Sequence, residues 1–203
     1  MPPLPPVTQF LMLACTAVFC LQWLLGPLLL GFGALWPVGS GRFLPWQTVT
    51  YAFLHGGFGH LFFNMLAMWT FGSELERLWG GKRYLMFLLA SVLTAAGTQL
   101  LVTALMGSWT PTIGASGGVF GLLMAYGMLF PNRQLMLLIP PIPVKAKVLV
   151  WIYGALALVL GMADGGGGVA HFAHLGGMLG GWLMIQYWRG RPPFGGRGPR
   201  RMH

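Results

Sequence analysis

The sequence predicts an all-α polytopic membrane protein, a bundle of six transmembrane helices. Of its 203 residues, 56% are hydrophobic and only 7% are charged, against about 25% charged in an ordinary soluble domain. One soluble core cannot hide that much apolar surface. Six apolar stretches, at 10–32, 56–73, 84–106, 114–130, 148–163 and 169–188, match the roughly 20 residues that a bilayer-spanning helix needs. The segments between them are GFGALWPVGSGRFLPW, ELERLWGGKR, MGSWTPTIG, PNRQ with IPPIPVKAK, and ADGGGG. Gly, Pro or charge dominates each, so each reads as a loop.

The first span follows MPPLPPVTQF, which has no basic residue ahead of its apolar run. A cleaved secretory signal is therefore disfavoured and the span is expected to stay as a helix. Cys15 and Cys20 lie five residues apart within it and imply no disulfide framework.

Charge sets the expected orientation. The chain carries 12 Lys and Arg against 3 acids, a net +9. Eleven of the 12 lie in the second loop (Arg77, Lys82, Arg83), the fourth loop (Arg133, Lys145, Lys147) and the tail (Arg189, Arg191, Arg197, Arg200, Arg201), and only Arg42 lies on the other side. The positive-inside rule then predicts that both termini face the cytoplasm and that loops one, three and five face outward. Residues 1–188 are expected to form one six-span core and 189–203 a disordered basic tail. The Arg-Gly pattern of that tail resembles nucleic-acid binding segments, but a topogenic anchor touching anionic lipid headgroups explains it with no nucleic-acid partner.

Polar residues inside spans mark a polar interior or a site, and here they are few. His60 and Asn64 sit four apart, hence on one helical face of the second span. Ser116 opens the fourth span in GASGGVFG. His171 and His174 lie in the sixth, and His55 precedes the second. A hydroxyl that can attack (Ser116), an imidazole that can take its proton (His174) and two donors (His60, Asn64) make a minimal acyl-transfer set. The pairs Gly117/Gly121 and Gly177/Gly181 have GxxxG spacing, which lets helix backbones approach closely. Packing the fourth span on the sixth would bring serine and histidine together.

In order and host span, these residues resemble the rhomboid family of intramembrane serine proteases over nearly the whole chain. Gly114-Ala115-Ser116-Gly117 matches the family's GxSx, His60 to Asn64 its HxxxN, and Ala173-His174-Leu175-Gly176-Gly177-Met178-Leu179-Gly180-Gly181 its AHxxGxxxG. The resemblance implies Ser116 as nucleophile, His174 as general base, and His60 and Asn64 as oxyanion donors. It further implies a role for Glu76 in holding the first loop, transmembrane proteins as substrates, and no metal or cofactor. The compact core suggests a bacterial cytoplasmic membrane. Two departures stand out. Trp46-Gln47 replaces a frequent Trp-Arg, leaving open what anchors the first loop, and Phe120 replaces a Tyr that stacks on the histidine in some members.

The acids argue for a dyad over a triad. Glu74 and Glu76 fall on the predicted inner side, away from the site, and Asp164 precedes a glycine run with no packed helix to fix it. The imidazole is then expected to be oriented by packing, on Phe120. The Gly165–Gly168 run and the fifth span are expected to form a flexible cap and substrate gate. Three other readings compete. GASGG also fits the nucleophile elbow of soluble hydrolases, but that motif needs a strand–turn–helix inside a parallel sheet. A metal site at His55, His60, His171 and His174 would leave Asn64 and Ser116 unexplained, and His171 is expected to hydrogen-bond structurally. A rhomboid-like binding protein without activity usually lacks the serine or the histidine, and both are present.

Overall fold

A computed structural model of the chain describes residues 3–137, 140–163 and 171–190. The apolar runs fold into α1 (Pro6–Gly33), α3 (Phe58–Ala67), α4 (Ser73–Trp79), α5 (Gly81–Met106), α6 (Ser116–Leu129), α7 (Ala146–Ala163) and α8 (His171–Trp188), with a short α2 (Gln47–Thr50) in the first loop. Within a bilayer a helix satisfies its own backbone groups, which is why this composition folds almost entirely as helix. By length and composition, α1, α5 and α7 can each cross a membrane, and α6 is a shorter apolar helix of 14 residues.

Two elements differ from the sequence expectation. The second apolar run continues as helix past residue 73: a π-helical turn (Met68–Gly72) joins α3 to α4, so Glu74 and Glu76 sit in helix, not in a loop. The turn is where Tyr84 crosses. A Cβ at Gly72 would sit 2.3 Å from the Tyr84 hydroxyl, so only glycine fits there. The fourth loop is not irregular either. It carries an antiparallel hairpin, β1 (Gln134–Met136) with β2 (Pro143–Lys145), in register Leu135 opposite Val144. The described residues are therefore mostly helical, with one short hairpin.

Packing is densest where side chains are smallest. A Cβ on Gly177 would lie 2.0 Å from the Gly117 carbonyl oxygen, and one on Gly181 2.8 Å from that of Gly121, so α8 meets α6 backbone to backbone. Gly176 and Gly180 face the other way, against Thr98 and Thr94 of α5. α8 is thus wedged between two helices through two glycine faces. Beneath this seam Leu75, Tyr84, Phe87, Leu122 and Ile185 form a fully buried core. Trp23, Leu24, Leu28, Trp151 and Met162 remain widely exposed on α1 and α7. Such apolar outer faces suit a lipid surrounding.

The first loop is built on one side chain. Gln47 is fully buried. Its Oε1 accepts from the N–H groups of Trp36 (3.3 Å) and Leu44 (3.1 Å), and its Nε2 donates to the Arg42 carbonyl (3.1 Å) and reaches those of Gly31 and Phe32 (each 3.4 Å). Arg42 lies over the Trp36 ring at 4.8 Å. Gln47 therefore supplies the anchoring of the first loop that the Trp46-Gln47 departure leaves open. Glu76 is also an anchor, but of a different segment. It accepts from the Val7 and Thr8 amides (2.9 and 2.7 Å) and from the Thr8 hydroxyl (2.8 Å), so it pins the start of α1 and not the first loop.

Candidate active site

Ser116 is the first residue of α6, so its N–H belongs to the unpaired amides at a helix start. The strand of chain before it is clamped. Leu35 and Thr112 exchange two backbone hydrogen bonds of 2.9 Å, and the Gly114 N–H donates to the Tyr51 carbonyl at 2.9 Å. Gly114 itself has φ +122°, a conformation L side chains rarely adopt, and a Cβ there would lie 2.7 Å from His60 Nε2. Glycine at 114 thus lets the serine turn close onto the His60 ring.

The glycine contact between α6 and α8 brings Ser116 Oγ to 2.8 Å from His174 Nε2. With its proton on Nδ1, the imidazole accepts the serine hydroxyl through Nε2. Phe120, one turn along α6, stacks flat on the His174 ring, with centroids 4.2 Å apart and planes 5° from parallel, and Tyr153 of α7 meets Phe120 edge-on at 6.0 Å. The imidazole orientation is thus set by an aromatic face, as the sequence reading expects. Glu74 lies at the opposite end of the helices, bonded to Tyr126 and Arg133, and Glu76 is engaged by Thr8. Asp164 and Gly165–Gly168 lie outside the described residues.

His60 and Asn64 face the same space. The Gly56 N–H donates to His60 Nδ1 at 3.3 Å, which leaves the proton on Nε2, the nitrogen beside Gly114. Asn64 Nδ2 donates one hydrogen to the His60 carbonyl at 2.8 Å and keeps a second. Ser116, His174, His60, Asn64, Phe120 and Tyr153 all line one cavity of about 550 Å³. Four polar side chains from three widely separated segments therefore converge.

The remaining histidines stand apart. His55 is buried, its backbone is gripped at both N–H and C=O by Gln22 of α1 (3.0 and 3.1 Å), and its ring meets His60 edge-on at 5.1 Å. Burial, helped by His60 and opposed by the Phe53 carbonyl, holds its pKa down at about 4, so it is neutral at pH 7. His171 is 6.1 Å from His174, and the structural hydrogen bond expected for it has no partner among the described residues.

Residues 42–191 match the rhomboid domain. The chain belongs to the rhomboid family. Among its relatives are proteins named rhomboid protease GlpG, one from Serratia proteamaculans with 32% identity over 189 residues, and others from Yersinia pestis and Yersinia pseudotuberculosis with 27% identity over 188. Each alignment covers 90% of this chain but 62% of the relative, so this rhomboid spans less than two thirds of the length of the proteins it matches. Gln47 is the functional-loop residue that sequence reasoning missed as an anchor. Its five backbone partners all lie upstream, two at the end of α1 (Gly31, Phe32) and three in the loop (Trp36, Arg42, Leu44), a pattern that no local periodicity announces.

Proposed function

We propose that this rhomboid is an intramembrane serine endopeptidase that crosses the bilayer six times and cleaves single-span membrane proteins in or near their transmembrane helix. The observation that carries this reading is the 2.8 Å contact of Ser116 Oγ with His174 Nε2 in a cavity shared with His60 and Asn64. Ser116 Oγ attacks the scissile carbonyl carbon as His174 Nε2 takes its proton. The resulting oxyanion accepts hydrogen bonds from the Ser116 N–H, the free Asn64 Nδ2 hydrogen and His60 Nε2–H, at a helix start whose dipole favours negative charge. As the peptide C–N bond breaks, His174 returns the proton to the leaving amine. A water, deprotonated by His174, then hydrolyses the Ser116 ester and restores the dyad.

The core spans 1–188 with the basic tail at 189–203, in a bacterial cytoplasmic membrane. Both termini face the cytoplasm and the cavity opens outward, because Arg77, Lys82, Arg133, Lys145 and Arg189 lie at the helix ends opposite Ser116 while Arg42 lies in the loop that follows α1, at the Ser116 end. Cleavage of a single-span reporter in proteoliposomes tests the reading. Ser116→Ala and His174→Ala are expected to abolish product. Undiminished cleavage by Ser116→Ala, or no cleavage by the wild-type protein across several reporters, contradicts it, the latter in favour of a silent helix-binding role.

A further inference from the structure

The cavity does not end at the dyad. Its walls run along α6 to Leu123 and along the π turn to Phe71, and its far end is strand β1, through Leu135 and Met136, with Leu137 just after it. Leu123 is seven residues beyond Ser116, about 10 Å along the helix axis at 1.5 Å per residue. The hairpin is fixed there. Arg133, at its base, is paired with Glu74 of α4 and lies over the Phe130 ring at 5.4 Å, the Ala146 N–H donates to the Arg133 carbonyl at 2.8 Å, and the Leu137 N–H donates to Ile142 at 3.0 Å. Met136 nevertheless remains 68% exposed, an apolar side chain offered to whatever fills the cavity.

We propose that strand β1 is the docking floor for the part of the substrate's transmembrane segment that extends away from the scissile bond, and that it selects apolar residues beyond the level of Leu123, at least about two helical turns from that bond. This rests on the protease reading above. Continuity names the occupant: a peptide whose carbonyl lies at Ser116 Oγ leaves the dyad along these same walls. Its conformation follows from the polar atoms on offer. Around the dyad, His60 and Asn64 can bond an unwound backbone. Deeper in, the side-chain hydroxyls are those of Tyr153 and Thr70, and Thr70 already donates to the Leu66 carbonyl at 2.7 Å, too few for an opened backbone. A chain there has to satisfy its own backbone and so stays helical, presenting side chains to Met136. The dyad end thus receives an opened backbone and the β1 end a helix.

The test compares two substrates sharing one scissile sequence, a single-span protein and a short water-soluble peptide too short to reach β1, both with the full chain in proteoliposomes. Met136→Asp changes an exposed residue, and placing a carboxylate against an apolar helix disfavours docking. It is expected to lower the ratio of kcat/KM for the single-span protein over the peptide about tenfold, through KM, and Met136→Leu is expected to restore the ratio. A polar residue placed in the substrate seven positions from the scissile bond should weaken wild-type cleavage similarly. An unchanged ratio, as expected if a lipid chain occupies the floor, overturns the inference, as does equal loss on both substrates. Failure of the wild-type protein on either substrate would instead count against the protease reading itself.

Discussion

At the scale of single residues, the chemistry depends on side chains that hold others in place. His174 has no carboxylate behind it among the described residues; its ring is held by the flat contact with Phe120. Such stacking contributes about 0.5–1.5 kcal/mol, so Phe120→Ala is expected to lower kcat about three- to tenfold with little change in KM, and Phe120→Tyr to keep near-normal kcat. Steady-state kinetics on the reporter read both. Gln47 is the other such residue. Removing its amide in Gln47→Ala leaves buried N–H and C=O groups without partners, at about 1–3 kcal/mol per orphaned group, so thermal unfolding in detergent should show a clear loss of stability. The polar residues of the site were legible in sequence because each interrupts an apolar span. The role of Gln47 was not, because a glutamine in a polar loop carries no such contrast, and its value comes from burial that only the folded loop creates.

At the scale of elements, glycine decides where α8 can sit. Gly177→Ala would place a Cβ 2.0 Å from a backbone oxygen of α6. Backbone cannot yield as a flexible side chain does, so α8 must move and the Ser116–His174 contact must lengthen. A misplacement on the order of 1 Å costs about a hundredfold in rate, and activity of this variant is expected to fall at least that far, with lowered thermal stability. Gly97→Ala on α5 is the contrasting case: nothing lies within 4 Å of the new methyl, so stability should be unchanged or raised by up to about 1 kcal/mol. The GxxxG spacing announced the α6–α8 seam. Gly176 and Gly180 share that spacing, but that their face meets Thr94 and Thr98 of α5 becomes recognisable only once the neighbour is known. The β1–β2 hairpin was hidden for a similar reason: PNRQ and IPPIPVKAK contain the prolines of a loop, and two strands of three residues are too short to show alternation.

At the scale of the whole molecule, charge and chemistry are separated to opposite ends. Among the described residues, the helix ends near Glu76, Arg133 and Arg189 carry every cation but Arg42, and those near Ser116 carry the histidines. Long-range pairs such as Thr8 with Glu76 and Leu35 with Thr112 close each end. Such pairs join residues far apart in sequence, so no local pattern shows that Glu76, given a first-loop role by the resemblance, instead holds the start of α1. With Cys15 and Cys20 replaced by alanine, a cysteine at Ser40 is expected to react with an impermeant maleimide from outside intact cells, and one at Asn132 only after lysis. The reverse pattern would invert the orientation.

The assignment of Ser116 as nucleophile is tested most directly by covalent labelling with a serine-directed phosphonate, the adduct being located by mass spectrometry of the membrane-embedded protein. Modification of Ser116 is expected, with little or none in His174→Ala. Labelling at another serine, or undiminished labelling of Ser116→Ala, would contradict it.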